Sequence, residues 1–457
     1  MTQGPQPAGA DAAQAEAAQR RLLVVSDSDS YTKWGAALAS RLPGGWHADL
    51  AVLATDVGPS PRQLASALAD TRWATDAPHR VHLDDLAGLV GELRPDAVLL
   101  ALRGPLVRVT APVLHALADR PVLVSGFPGL TIPAVPKAII YREQVDLVVL
   151  HSRREVRDFA ALAAGLPAAP AFGLASLAFL ADAAAVERRA DASDVVFAVQ
   201  AKVPATREER IALVGILGEA ARRRPNRRLV VKVRARAGEA QTHAEEHDLA
   251  ELIADPEVTR ELGFTLPPNL VVEDGPMTAH LARAEALVTV SSTAVLEAIA
   301  AGVPALLLDD FGVGPKQLNT VFEGSGLFGD GQALAAGEWR TPDPAWLDDN
   351  YFHDPADDDW LARLAELLEA RDAAPLPVLV RRHNLTGGAL RRAFERKKML
   401  GSHDGSALGA VAMGVAIPVR GTVRLARRVV RQLRGQQAAE VATAPGVARR
   451  AESTGLR

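Results

Sequence analysis

The sequence predicts an α/β protein made of two doubly wound parallel sheets, followed by a basic helical tail. Three observations carry this. Short β-branched runs alternate with amphipathic stretches from Arg21 onward, the rhythm of parallel strands covered on both faces. The alternation pauses over 181–193, an Ala/Asp/Arg-rich stretch, and resumes at Val195. At 457 residues the chain is longer than one hydrophobic core comfortably holds, which suggests two or three domains.

In the first half, over 20–180, RLLVVS (Arg21–Ser26) is the first expected strand and Lys33–Leu42 the helix after it. Further strands are expected at Asp49–Ala54, Ala97–Leu102, Pro121–Ser125 and Asp146–Leu150, with helices between them such as Asp84–Leu93 and Ala111–Ala118. In such sheets ligands bind beyond the carboxyl ends of the strands. The polar residues there are Asp27, Arg103 with Gly104, Gly126, and His151 with Ser152. The Gly126–Arg142 segment holds too many prolines for a regular element and is expected to be an ordered loop on the ligand side.

The second half, over 194–373, begins with the strand Val195–Val199 and the helix Arg207–Arg223, followed by strands at Leu229–Val233 and Leu270–Val272. Its centre is Leu287–Leu308, LVTVSSTAVLEAIAAGVPALLL. A buried strand, Leu287–Val290, leads through Ser291, Ser292 and Thr293 into a short helix; Gly302 ends the helix, and Val303–Leu308 is the next strand. Hydroxyls at a helix start leave backbone N–H groups facing outward, an arrangement suited to phosphate. Glu297 lies one turn in, off the apolar stripe, and is one residue too late for a capping box with Thr293. An ordinary βαβ unit with a solvated Glu would give the same pattern. Lys202, Lys232 and Arg234 fall near strand ends, where cations would neutralise a leaving phosphate; surface charge is the alternative for each.

The arrangement resembles the nucleotide-binding half of GT-B glycosyltransferases, whose helix has the form E-A-x-x-x-G-x-P, here Glu297, Ala298, Gly302 and Pro304. The resemblance covers roughly Arg20–Ala373. It implies two Rossmann-like domains facing across a cleft, the first for the acceptor and the second for a nucleotide-sugar donor. It also implies Ser291, Ser292 and Thr293 against the donor phosphates and Glu297 near the ribose. The general look is that of the bacterial capsule and teichoic-type group, including polysialyltransferase-like enzymes. The expected acceptor is a cell-envelope or secondary glycan, free or lipid-linked. No cofactor and no metal are expected. UDP-sugar epimerases and cell-wall glycerophosphotransferases share the motif, so an epimerase of the same fold stays open, as does a non-catalytic glycan- or membrane-associated protein.

Ser26-Asp27-Ser28-Asp29-Ser30 contains D-x-D. As the front loop of a GT-B enzyme it would offer Asp27 or Asp29 as general base, with His151 a second candidate from its strand end. In a haloacid-dehalogenase-like phosphatase Asp27 would be the nucleophile, with Asp309-Asp310 and Lys232 as partners, although Ser26 separates Asp27 from the apolar strand. An Asx/Ser turn capping the next helix accounts for the pattern equally well.

Composition sets limits. Cysteine is absent, which excludes disulfides and thiolate metal sites. No apolar run approaches the roughly 18 residues of a membrane span, and residues 1–19 lack a signal-like basic and apolar pattern, so a disordered N-terminus and a cytoplasmic protein are expected. Net charge is −4, but residues 381–457 hold 16 Lys/Arg against 4 Asp/Glu, a +12 tail on a −16 body. Over 374–400 a helix ending in ALRRAFERKKML is expected to cross back to the first domain. Over 401–457 the tail has a short apolar run, and then Arg420–Arg434 sets arginines around an apolar face. That stretch, 408–434, suits an anionic membrane surface or the protein's own acidic body; nucleic acid is not expected.

Overall fold

The computed structural model describes residues 19–69, 71–233 and 246–414. The first sheet has seven parallel strands: β1 (Arg20–Ser26), β2 (Trp46–Leu53), β3 (His79–Val81), β4 (Ala97–Ala101), β5 (Val122–Gly126), β6 (Leu147–Leu150) and β7 (Ala171–Leu174). Their order is β3-β2-β1-β4-β5-β6-β7. The second sheet has six: β8 (Asp194–Ala198), β9 (Leu229–Lys232), β10 (Leu270–Glu273), β11 (Ala284–Thr289), β12 (Ala305–Leu308) and β13 (Phe328–Gly329), ordered β10-β9-β8-β11-β12-β13. All neighbouring pairs are parallel. Central strands such as Leu22–Val25 and Val98–Leu100 are buried throughout, because helices cover both faces of each sheet. The expected two-domain α/β architecture is therefore present.

Strand order fixes where ligands can enter. In the first sheet the order reverses between β1 and β4, and in the second between β8 and β11. At each such point the crossovers leave to opposite sides and open a crevice at the carboxyl ends of the two strands. Asp27 and Arg103 lie at the first crevice, Gln200 and Ser291 at the second. The helix Asp29–Ala39 can lie close against β1 and β4, the strands that border the first crevice, because Gly35 has no side chain. A Cβ there would come 2.8 Å from Ala101 Cβ and from Val24 Cγ1.

The chain exchanges elements between the two cores. Leu130 and Ile132, from the proline-rich loop, pack with Val295, Leu296 and Phe322 of the second domain, as do Leu177 and Leu180. In return the helix Trp360–Ala373 buries Trp360, Leu364 and Leu368 in the first core with Leu22, Val24 and Leu147. Its start is pinned by Asp359, which accepts from the Leu174 N–H at 2.6 Å, and by Asp358, which accepts from the Ser176 N–H at 2.8 Å. This corrects the expected boundaries. A helix that crosses back is Trp360–Ala373, which the sequence placed in the second domain.

Residues 375–383 then run along the first domain as a strap. Arg120 Nη2 donates to Pro377 O at 2.8 Å, Gln144 Nε2 to Leu379 O at 2.9 Å, and the Arg382 N–H to Glu143 at 3.0 Å. Both sheets belong to the compact unit that ends at His383, and residues from Asn384 form a second unit. In that unit the helix Gly388–Leu400 is followed by a turn in which Arg396 Nε pairs with Asp404 at 3.0 Å. Among the described residues no helix is long and apolar enough to cross a membrane. The arginine-rich stretch 420–434 lies outside the described residues.

Candidate functional site

At the second crevice β11 ends in Thr289, whose hydroxyl donates to the Ala198 carbonyl of β8 at 2.8 Å and accepts from the Ser292 N–H at 3.2 Å. This ties the SST turn to both strands of the crevice. Ser292 Oγ accepts from the Ala294 N–H at 3.3 Å and so starts the helix Ala294–Ala300. Ser291 is buried, and its hydroxyl has no partner within the protein. A buried polar atom without a partner is uncommon and marks a place where a bound group is expected to complete it. Thr293 is exposed and makes no side-chain cap. Gly302, at φ +65°, ends the helix in the left-handed conformation that glycine tolerates best.

Glu297 is half-buried on this helix. Burial pushes its carboxyl above the usual carboxylate range; the charges of Lys33 and Lys232 pull it back, and Asp182 adds to the rise. Two of these neighbours were not singled out in the sequence. Lys33 stands on the first-domain helix Asp29–Ala39 and Asp182 on the helix Ala178–Ala184. Glu297 thus lies in electrostatic range of both domains. The proline-rich loop arrives here too: a Cβ on Gly129 would lie 3.7 Å from Thr293 Cγ2. Of the expected cations, Lys232 ends β9 and acts on Glu297, Lys202 is exposed, and Arg234 lies outside the described residues.

At the first crevice two expectations are corrected. Asp27 is fully buried, and both its oxygens are engaged: Oδ1 accepts from the Arg103 N–H at 3.1 Å and Oδ2 from Arg103 Nε. Burial raises its pKa against the pull of Arg103. A carboxylate closed off in this way positions Arg103 and has no free edge for an acceptor hydroxyl. His151 is likewise interior, 1 % exposed. The Trp34 indole N–H donates to its Nε2 at 2.8 Å, so that nitrogen is the acceptor, and Nδ1 donates to the Ala175 carbonyl at 2.7 Å. Nε2 also lies 3.0 Å from the Phe127 carbonyl, so the ring is enclosed by partners on every side, and burial lowers its pKa against the pull of Glu155 and the two carbonyls. Asp29, half-buried in the first turn of Asp29–Ala39, is the candidate base that remains.

The phosphatase constellation does not assemble. Asp27 sits at the end of β1 in the first sheet, whereas Asp309 and Asp310 follow β12 in the second. There Asp309 lines an open polar cavity of about 500 Å³ with Asp330 and Arg340, and its pKa is raised by burial and by Asp310 and Asp330. Among the described residues no three His, Asp or Glu side chains are grouped to hold a metal ion.

Two doubly wound domains, with the loops of one reaching the ligand crevice of the other, place this protein in the GT-B class. The chain belongs to the family described as Putative glycosyltransferase (DUF6716), whose model matches residues 22–367. It has no sequence match among curated proteins. Similar solved structures include the UDP-GlcNAc 2-epimerase of Neisseria meningitidis bound to UDP-GlcNAc, at 11 % identity and TM-score 0.46, covering 77 % of this chain and 99 % of that one. Another is Alr3699/HepE of Anabaena in complex with UDP and glucose, at 11 % identity and TM-score 0.46, covering 78 % and 100 %. A third is UGT89C1 of Arabidopsis thaliana, at 14 % identity and TM-score 0.45, covering 77 % and 99 %.

Proposed function

We propose that the protein transfers a sugar from a nucleotide-sugar donor to a glycan or lipid-linked acceptor. Family membership supports sugar transfer in general. The observation that carries the donor site is the unpartnered, buried Ser291 hydroxyl in the turn that opens the helix of Glu297, at the second-domain crevice. In this reading the SST turn meets the donor phosphates and Glu297 the ribose hydroxyls. Asp29 accepts the acceptor's proton as its oxygen bonds to the anomeric carbon and the bond from that carbon to phosphate breaks. The nucleotide leaves with the electron pair, its charge offset by Lys232 and Lys33.

A thermal-shift panel of nucleoside diphosphates tests this, since a ligand bound only by the folded state raises its melting point. At least one is expected to do so. In Ser292→Ala, nucleotide affinity measured by calorimetric titration should fall by about 1.5–3 kcal/mol, the contribution of one hydrogen bond to a charged group. Unchanged affinity would remove the SST turn as the phosphate site. Because the cationic residues supply the countercharge, turnover is expected to survive EDTA; complete loss that magnesium reverses would overturn that part. Conversion of the donor sugar with no acceptor present would favour the epimerase.

The reading also places the protein in the cytoplasm, against an anionic membrane through 408–434. Each arginine near such a surface contributes about 1 kcal/mol. The full chain should pellet with anionic vesicles and a chain ending at Leu400 should not; equal behaviour of the two would exclude the tail.

A further inference from the structure

The first-domain crevice has unused donors and a buried guanidinium that the donor site does not explain. Two helices start there, Asp29–Ala39 of 11 residues and Gly104–His115 of 12, and neither Ser28 nor Arg103 at their starts makes a side-chain cap. Their first backbone N–H groups have no partners within the helices. Ser28 is 3 % exposed, and its hydroxyl is bonded to nothing in the protein. Arg103 gives Nε to Asp27 and leaves Nη2 buried without a partner.

Beside them Arg142 is 2 % exposed. It donates to Ser125 Oγ at 3.1 Å, Gly126 O at 2.9 Å, Ala138 O at 3.3 Å and the Tyr31 hydroxyl at 3.4 Å, and lies over the Phe127 ring at 3.8 Å. All these acceptors are neutral, and no carboxylate among the described residues pairs with it. Asp27 is committed to Arg103, so a buried guanidinium is left without a counterion. A buried charge is normally paired, and an empty anion site is one way such a charge stands alone.

We propose that this crevice binds an anionic group, phosphate or carboxylate, carried by the acceptor. The proposal rests on the transferase reading, which gives the donor phosphates to the SST turn of the other domain. Asp29 opens the same helix as Ser28, so one acceptor molecule would place its hydroxyl at Asp29 and its anion at Ser28, Arg103 and Arg142.

The test uses the full chain with inorganic phosphate and, separately, glucuronate, each against chloride at equal ionic strength, with and without a saturating nucleoside diphosphate. At least one of the two probes should raise the melting point in both conditions; which one does tells phosphate from carboxylate. Ser28→Ala and Arg103→Lys should weaken that binding about tenfold, the loss expected of one charge-assisted hydrogen bond, while keeping nucleotide affinity. Three results would overturn the proposal: no stabilisation by either probe, its complete loss when nucleotide is bound, or equal binding in wild type and both variants. Nucleotide binding by the wild type is read in the same experiment, so failure of the donor site is seen separately.

Discussion

Replacing Arg103 by leucine should lower the free energy of unfolding at pH 7.5 by about 3–5 kcal/mol, the usual loss when one member of a buried pair is removed. The reason is the partner left behind. Asp27 is fully enclosed, and its carboxylate would keep only the Arg103 backbone N–H. Burial already pushes Asp27 upward, and the charge and hydrogen bonds of Arg103 hold it down. Without the guanidinium the folded-state pKa rises further above the unfolded one. An acid raised in the folded state destabilises when ionised, so the variant should regain stability as pH falls through that raised value. Asp27→Asn is the control. It removes the charge that is costly to bury, and the remaining guanidinium, with its side chain 29 % exposed, reaches solvent. Its loss should therefore be the smaller one and vary less with pH. Urea unfolding at pH 7.5 and 5.5 measures both. Equal losses in the two variants, unaltered by pH, would show that the pair does not act in this way.

The pair also marks where sequence reasoning stops. Period and composition were enough to place the central strands between Arg21 and Leu308, because strands buried on both faces read as plain β-branched runs; the short edge strands His79–Val81 and Ala171–Leu174 gave no such run and were missed. The SST turn and Glu297 were legible for the same reason: helix starts and apolar stripes are local. Partnerships across the sheet were not. Asp27 in a D-x-D looked like a free carboxylate because its partner, Arg103, is 76 residues away. His151 looked available at a strand end, and only packing shows Trp34 and Ala175 occupying its ring. Gly126 is what lets Trp34 lie there; a Cβ on it would come 2.5 Å from the indole and 2.8 Å from the Val149 carbonyl. Lys33 was read only as the start of the helix after the first strand, since nothing local says that the other domain lies opposite. The helix Trp360–Ala373 has an amphipathic pattern that fits either core, so its return to the first sheet could not be told from its own residues.

Glu297→Gln should make the protein more stable and the nucleotide weaker, in one substitution. Burial is the first cause of the raised Glu297 pKa, ahead of the opposing pull of Lys33 and Lys232. The ionised carboxylate therefore carries a net cost in the folded state at neutral pH. An isosteric amide removes that cost, although it also removes the countercharge of the two lysines, which limits the gain. The sign with pH follows from the raised value. The advantage of the variant should be complete above the folded-state pKa and vanish as pH falls toward the 4.5 of an unperturbed Glu, where the wild type is protonated as well. Binding should move the other way. A carboxylate accepting from ribose hydroxyls makes a charge-assisted bond, and its loss is about 1.5 kcal/mol or more, roughly tenfold in Kd. Melting curves between pH 5 and 8, with and without nucleotide, read both effects on the same samples. A variant that melts lower than the wild type at every pH would make Glu297 a structural residue. One that melts higher but binds nucleotide equally well would leave its burial unexplained and remove it from the donor site. Opposite changes in stability and affinity are what a buried charge kept for a ligand requires, because its cost in the free protein is offset only when the ligand is bound.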